Sequence, residues 1–402
     1  MSPRKLILLL IITALTLNLC SGCWNRREPE LLGIALAVGF DYDSEKELYR
    51  VIAQLANPVA MGEKGGGGAG GGGGGGGSSF WTLEADGHTP YEALRNLVET
   101  SSREIFWAHC RVALFSEKMA RRGLHDIIDL FERNRQLRLI VKPVIIKGDL
   151  RKILEAEFPL EETGARGLDR FIVTTRFEKS IFPEKNFNEI ISTLSRPGKE
   201  MLIGRLEVLE SEEKGDEESS GSTPPARIGG GALFRGDRMV GWASSKQVQG
   251  WSYATGRAFR SNFVLESPAK EGNFVSIGAF GHSANTSLRG DEDNWRIVIK
   301  VSMHGRIQEI CGPANLSVES ELTRSLERRA TAAVRNRIEA AFSRSQELKS
   351  DIFGFGNLIY RKNPPLWEKI KDRWVEEIYP QLQIDLEIEF KILRSGLMKD
   401  PL

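Results

Sequence analysis

The sequence predicts an α+β fold with mixed and antiparallel sheets, helices packed on one face, and more than one domain. In residues 32–195, short apolar segments typical of strands alternate with amphipathic segments typical of helices. Residues 295–303 and 383–393 place an apolar side chain at every second position, a pattern typical of strands with one face against helices and one in water. An acidic stretch at 210–227, rich in Ser, Gly and Pro, predicts a linker between an N-terminal region at 23–209 and a C-terminal domain at 228–397.

The first 22 residues predict a lipoprotein signal peptide. Two basic residues precede the apolar run Leu6–Leu17, which is shorter than the roughly 20 residues that a membrane-spanning helix needs. Ser21-Gly22-Cys23 follows, and small residues before a cysteine suit cleavage by a lipoprotein peptidase. Cys23 is therefore the predicted site of lipidation, through a diacylglycerol and acyl (palmitate) chains that anchor the chain to a membrane. Cys20 is a poor alternative because Leu19 before it is large; a plain secreted protein is the other interpretation.

Composition restricts the remaining partners and cofactors. The chain has 55 Lys and Arg residues against 54 Asp and Glu residues, which argues against a protein that binds nucleic acid by counterion release. Cys110 and Cys311 lie in different predicted domains and are expected to be free, with a disulfide between them as the alternative. We expect no cofactor other than the covalent lipid.

The N-terminal region begins with a predicted hairpin of strands at 32–40 and 49–55. The glycine tract at 65–77 predicts a disordered insertion, because polyglycine loses more backbone entropy on folding than any other sequence. A phosphate-binding loop is not expected there, since no helix with Lys and Ser or Thr follows. Leu137–Ile146 is nearly all apolar, which predicts a strand covered on both faces. Helices are predicted to begin near Thr89-Pro90, Ser116, Leu150 and Asn186.

The C-terminal domain begins with a predicted hairpin, in which 231–234 and 239–242 flank the turn 235–238. A long helix is predicted from Leu316 to about Leu348, with an apolar stripe along one side. We expect this stripe to cover the domain's own sheet rather than a partner helix.

No local motif indicates an enzyme or a metal site. No two of the five histidines are three or four residues apart, and no Gly-x-Ser-x-Gly motif is present. The glycine pairs at 278–281 and 354–356 are interpreted as tight turns rather than dinucleotide-binding loops. The chain is predicted to have no catalytic residues and no metal; the alternative is an exported hydrolase whose catalytic residues meet only in space.

Several segments together resemble one known family, the Ger(x)C spore-germination lipoproteins, which are the C subunits of nutrient germinant receptors. The segments that carry the resemblance are Gly22 to Glu28, Leu83 to Gly87, Ala108 to Arg111, Gly231 to Phe234, Asp237 to Trp242 and Asp351 to Gly356. The resemblance covers essentially the whole chain after Cys23. It implies a non-enzymatic subunit on the outer face of the cell membrane, the inner membrane of the spore, that assembles with a membrane-spanning A subunit and a transporter-like B subunit. It also implies that the N-terminal half divides into two small domains.

Two surfaces are candidates for contact with these partners. One is the polar side of the long helix, with Arg328 and Arg335; the other is a loop containing Asp351, Phe353, Gly354 and Gly356. A solvated helix face and simple turn geometry are the alternative interpretations. A second function, a solute-binding lipoprotein of a transporter, predicts two similar doubly wound lobes, whereas the two parts of this sequence differ and are joined by one linker.

Overall fold

A computed structural model describes residues 3–7, 13, 31–57, 79–156, 158, 160, 161, 163–209, 226–290, 294–311 and 321–394. The predicted lipidation site Cys23, the glycine tract at 65–77 and residues 210–225 of the predicted linker lie outside the described residues. Helices and two separate sheets make up the described chain, which confirms the predicted α+β fold.

Nine strands form the first sheet within the described residues. They are β1 (Leu32–Asp43), β2 (Leu48–Ala56), β3 (Phe80–Gly87), β4 (Glu104–Phe106), β5 (Val112–Ser116), β6 (Lys142–Lys147), β7 (Leu202–Val208), β8 (Ala226–Arg235) and β9 (Arg238–Ala243). The order is β3-β2-β1-β5-β6-β7-β8-β9, and β4 pairs with one end of β1. The central neighbours β1, β5, β6 and β7 run parallel, whereas the outer pairs are antiparallel.

Side chains of the central strands are buried on both faces of the first sheet. On one face Phe40 stacks on Phe115, with ring centroids 5.5 Å apart. On the other face Leu114 and Val144 belong to a second apolar cluster. Burial on both faces is what the apolar run ending at Ile146 predicted, although the strand itself begins at Lys142.

Six helices of the described chain accompany the first sheet: α1 (Pro90–Asn96), α2 (Glu117–Arg122), α3 (His125–Arg133), α4 (Leu150–Leu154), α5 (Gly164–Lys179) and α6 (Phe187–Leu194). A 3₁₀ turn, Leu97–Thr100, continues α1. Four of these helices begin where the sequence predicts, because a side-chain oxygen at the N-cap accepts a backbone N–H. The caps are Thr89 for α1, Ser116 for α2, Asp149 for α4 and Asn186 for α6. Helices α4 and α5 cover one face of the sheet and the other four cover the opposite face.

Helix α5 is absent from the sequence predictions. Its buried side combines Leu168 and Ile172 with the small residues Gly164, Ala165 and Gly167, so the apolar stripe is short and hard to see in the sequence. A Cβ atom at position 167 would lie 2.2 Å from Cγ of Phe158, so glycine permits this close packing. The α4 segment also ends at Leu154, earlier than the predicted Phe158.

The predicted hairpin after the acidic stretch is confirmed as β8 and β9, but it completes the first sheet. Strand β8 pairs antiparallel with β7, with Leu202 opposite Leu233. Ala232 and Phe234 consequently lie in the core of the first sheet. The change from the first sheet to the second therefore falls after Ala243.

Four strands form the second sheet of the described chain, in the order β10 (Ser261–Glu266), β11 (Phe274–Arg289), β12 (Arg296–Ile310) and β13 (Ile384–Arg394). Strand β12 is antiparallel to β11 and parallel to β13. The predicted turn at 278–281 is wrong: these residues lie inside β11, where the register shifts between Phe280 and Ser283. Gly281 has φ of 59° at this bulge, a conformation that suits glycine.

Helix α8 (Glu321–Glu347) packs along the second sheet, as its apolar stripe predicts. Its buried residues include Leu326, Val334 and Ile338. A short helix, α7 (Ser245–Ala254), precedes the sheet and begins with a capping box between Ser244 and Gln247. After α8 come α9 (Phe355–Lys362), α10 (Pro364–Arg373), a π turn (Trp374–Ile378) and α11 (Tyr379–Gln381).

Candidate functional site

The first-sheet half (31–243) and the second-sheet half (244–394) meet at a junction with its own apolar cluster. Buried members of the cluster come from β7, β8, β9, α7, α8 and the loop after α8: Leu202, Leu233, Ala243, Val248, Trp251, Ala341 and Ile352. Polar contacts join the same elements. Trp251 donates its indole N–H to the carbonyl oxygen of Ile352 at 3.0 Å, and Arg344 donates from Nε to the carbonyl oxygen of Trp242 at 3.0 Å. The two halves therefore share a packed interface.

The predicted contact loop, 351–356, lies at this junction. Asp351 is 3% exposed, and its carboxylate accepts the backbone N–H groups of Gly354 at 2.7 Å, Phe355 at 3.1 Å and Gly356 at 2.8 Å. These N–H groups lie at the start of α9, where the helix itself provides no acceptor for them. The buried carboxylate of Asp351 is their hydrogen-bond acceptor. Burial raises the pKa of Asp351 to about 6, although the three N–H groups favour its charged form.

The glycines of this loop permit close contact with the first half. Gly354 has φ of 76°, in the left-handed region. A Cβ atom at Gly356 would lie 2.7 Å from Nε1 of Trp374 and 2.9 Å from Cα of Gly198. The N–H of Asn357 donates to the carbonyl oxygen of Gly198 at 2.9 Å. Asp351, Gly354 and Gly356 are therefore buried residues that hold the junction together rather than exposed surface residues.

Phe353 is the partly buried member of the loop. Its ring stacks on Phe355, with centroids 5.3 Å apart, and meets the edge of Phe342 at 5.9 Å. It therefore contributes to the packing between the loop and α8.

The two arginines of α8 lie in different surroundings. Arg335 donates from Nη2 to the carbonyl oxygen of Leu386 at 3.0 Å and lies 3.8 Å from the carboxylate of Glu339, so it binds the neighbouring strand β13. Arg328 is exposed. The structure does not bring either arginine into the 351–356 loop, and both arginines keep accessible side-chain surface.

Both described cysteines are free, as expected. Cys110 is buried and Cys311 is exposed. Burial raises the pKa of the Cys110 thiol to about 12, which makes it a poor nucleophile.

A cavity of about 300 Å³, which we name the junction cavity, opens between the two halves beside the 351–356 loop. Its polar and charged lining comes from α6, α7, β11 and the segments next to them: Lys185, Thr193, Lys199, Glu200, Thr255, Arg257, Asn285 and Thr286. Trp251 and Phe353 contribute aromatic walls. The sequence predictions include only Phe353 of this set, because the lining is contributed by separated segments of the chain and carries no local motif.

Charged groups beside the junction cavity form a compact network. The same carboxylate oxygen of Glu189 accepts from Nζ of Lys185 at 3.2 Å and from Nη2 of Arg257 at 3.1 Å. Both cations lie 5.8 Å from the centre of the Trp251 ring. Burial lowers the pKa of Lys185 to about 8. Burial opposes ionisation of Glu189, but the two cations outweigh this effect and hold its pKa below the usual value.

Glu200 also lines the cavity, from the chain segment that leads into β7. Its carboxylate accepts the N–H of Gly236 at 2.7 Å. Burial raises the pKa of Glu200 to about 7. The cavity therefore presents several cations beside the ionised carboxylate of Glu189, an arrangement that can bind an anionic group.

In the part of the chain that the structure describes, no group of three or more His, Cys, Asp and Glu side chains is placed to hold a metal ion. No described helix has the length and apolar character needed to span a bilayer.

Comparison with known proteins matches both parts of the chain to spore-germination families. Residues 25–208 match the spore germination protein N-terminal domain, and residues 229–396 match the C-terminal domain described as spore germination B3/GerAC like. Spore germination protein KC of Bacillus subtilis is 25% identical over 98% of this chain and 97% of its own length. GerQC of Bacillus cereus is 20% identical over 78% of this chain and 82% of its own length.

The crystal structure of the GerBC protein has a similar fold. It aligns with 89% of this chain and 98% of its own, at a TM-score of 0.51 and 16% sequence identity. The two family matches together cover most of the sequence, as the resemblance covers essentially the whole chain after Cys23. The chain therefore belongs to the Ger(x)C family of spore germination proteins.

Proposed function

We propose that this protein is a lipid-anchored, non-enzymatic subunit of a spore nutrient germinant receptor, and that it acts in germination by assembling with membrane-spanning A and B subunits. A diacylglycerol on Cys23 holds it to the outer face of the inner spore membrane. The observation that carries the proposal is the sequence Ser21-Gly22-Cys23, which follows a short apolar run and directly precedes a chain that matches both family domains.

Lipid supplies the attachment in this proposal. Each buried methylene group contributes about 0.8 kcal/mol, so two or more acyl chains give stable anchoring where one chain gives only reversible binding. Anchoring confines the folded part to the plane of the membrane and raises its effective concentration near membrane partners. Two relatives support the germination role, because both are named as spore germination proteins and both align with this chain along most of their length: spore germination protein KC and GerQC.

Architecture favours this proposal over a solute-binding lipoprotein. That alternative predicts two similar doubly wound lobes joined by hinge strands. The described residues instead form one nine-stranded sheet and one four-stranded sheet, and strand β12 is antiparallel to β11. The fold also matches GerBC.

A substitution at Cys23 tests the anchor. The Cys23→Ala protein, expressed in the sporulating cell, should leave the membrane fraction and lack the mass of the lipid. Cys20→Ala is the matched control, since Cys20 lies in the predicted signal peptide, and this variant should stay membrane-bound. A Cys23→Ala protein that remains in the membrane with unchanged mass would overturn the proposed anchor.

Affinity purification tests the assembly. A C-terminally tagged chain, extracted from spore membranes in mild detergent, should retain two multispanning proteins, and the Cys23→Ala variant should retain much less of both. Recovery of the tagged chain alone, under conditions that keep it folded, would contradict its role as a receptor subunit.

A further inference from the structure

The junction cavity has an excess of positive charge. Three cations line it, Lys185, Lys199 and Arg257, and one carboxylate next to it, Glu189, is shared by two of them. Glu200 is the other acid in the lining, and its raised pKa leaves it only partly charged near neutral pH. Asp351 is a third acid near the cavity, but Arg196 and Arg361 add two further cations there, so the positive charges outnumber the acids.

Of the three cations, Lys199 is the one that has no ion-pair partner within the described residues. Within the described residues, no carboxylate oxygen lies within 4.0 Å of its Nζ. The aliphatic part of its side chain packs on the loop glycine Gly354, since a Cβ atom there would lie 3.0 Å from its Cδ. Burial lowers the pKa of Lys199. The Asp351 carboxylate attracts this ammonium group without forming an ion pair with it, whereas Arg257, Arg196 and Arg361 repel it. Holding a partly buried ammonium group without a directly paired carboxylate costs free energy, and a bound anion would offset that cost.

Neutral polar groups complete the wall. Asn285 and Thr286 of β11 face the cavity from the second half, and Thr255 lies at the end of α7. Amide and hydroxyl groups donate hydrogen bonds to anionic oxygens, as do ammonium and guanidinium groups. At about 300 Å³ the cavity has the size of a small-metabolite site.

We propose that the junction cavity binds a small oxyanion, a free phosphate or carboxylate compound, held mainly by Lys199 and Arg257. Lys199 belongs to the first half and Arg257 to the second, so one anion contacts both. Bound anion then stabilises the junction, and the 351–356 loop beside it, because it binds the assembled halves and not the separated ones. This inference goes beyond the anchoring role and does not depend on lipid at Cys23.

A purely structural ion cluster is the competing interpretation. It explains the charges of Lys185 and Arg257, which both bind Glu189, and the packing of the Lys199 stem on Gly354, but it gives the Lys199 ammonium group no ion-pair partner. Substitution of Lys199 therefore separates the two interpretations, because it leaves the Glu189 ion pairs in place.

Titration calorimetry on the full-length protein in detergent provides the test, with inorganic phosphate and malonate as separate probes and sodium chloride at equal ionic strength as the reference. The wild type should bind at least one probe saturably, and the responding probe identifies phosphate or carboxylate as the preferred group. Lys199→Met should weaken binding by about tenfold or more, since it removes a charge-assisted contact. Lys199→Arg should retain binding, and Lys246→Met, an exposed lysine on α7 outside the lining, should bind like the wild type.

Thermal unfolding of the wild type gives a second readout that needs no variant: the responding probe should raise the melting temperature above that in matched chloride. Absence of saturable binding of both probes up to about 10 mM, the weak limit for a specific small-ligand site, would overturn the proposal. Equal affinity of the wild type and a folded Lys199→Met protein would overturn it as well.

Discussion

The backbone N–H of Glu200 donates a hydrogen bond to the carbonyl oxygen of Asp351 at 2.9 Å. Glu200 leads into strand β7 of the first sheet, and Asp351 follows the long helix of the second half. The acidic and glycine-rich loop that carries part of the family resemblance is therefore a structural connection between the halves. The first three predictions below concern this connection.

Replacing Asp351 with Asn should destabilise the protein by about 2 kcal/mol at pH 8, because one amide oxygen cannot accept three buried N–H groups and the amide nitrogen faces a donor. Urea unfolding followed by tryptophan fluorescence measures the effect, since Trp374 lies next to the loop. Asp372→Asn, at an exposed position on α10, is the control and should change little. Equal stability of the two variants would show that Asp351 does not hold the loop.

A methyl group at Gly356 should be more harmful than one at Gly236. The first would lie 2.9 Å from backbone atoms of Gly198, whereas the second meets nothing within 4 Å. Gly356→Ala should therefore lower the free energy of unfolding by about 2–3 kcal/mol, because the added methyl group overpacks this contact. Gly236→Ala should cost about 1 kcal/mol, because its φ of 60° alone is strained for alanine. Denaturant midpoints of the two variants give the comparison, and the reverse ranking would be inconsistent with the close approach.

Glu200 should make the stability depend on pH. Its folded-state pKa of about 7 lies above the ordinary value of 4.5, so the folded state holds the proton more tightly than the unfolded state. Its contribution is fully present below about pH 4.5 and is lost as pH rises through about 7. The Glu200→Gln variant stays neutral at every pH. Relative to this variant, the free energy of unfolding of the wild type should fall by on the order of 2 kcal/mol as pH rises across this range. Parallel pH profiles of the two proteins would contradict burial of the carboxyl group.

Thiol reactivity should distinguish the cysteines. Cys311 is exposed and should react with an alkylating reagent in the native protein, whereas Cys110 should react only after denaturation. A mature chain that is lipidated at Cys23 has these two thiols and no third. Rapid native labelling of Cys110 would argue against the packed first-sheet core, and a third thiol in denaturant would argue against lipidation.

Local sequence signals predicted much of the fold. Thr89, Ser116 and Asn186 mark helix starts because their capping oxygens act within three residues, and the hairpin of β8 and β9 follows from its short turn. The pairing of β8 with β7 was not predicted by local signals, because the acidic stretch separates the two strands in sequence. Nothing local indicates that the hairpin completes the first sheet.

The site was less predictable than the fold. An acidic, glycine-containing loop normally indicates a solvated turn, and only the tertiary structure shows that Asp351 is buried beneath Gly198 and Trp374. The junction cavity depends on segments that are up to about a hundred and seventy positions apart, from Lys185 to Phe353. Charges brought together over such separations leave no spacing pattern in the sequence.

Mass spectrometry of the N-terminal peptide, from protein purified out of the inner spore membrane, tests the central claim most directly. The account predicts a chain that begins at Cys23 and carries a diacylglycerol thioether on that residue. A peptide that retains residues 1–22, or one with an unmodified thiol at Cys23, would contradict it.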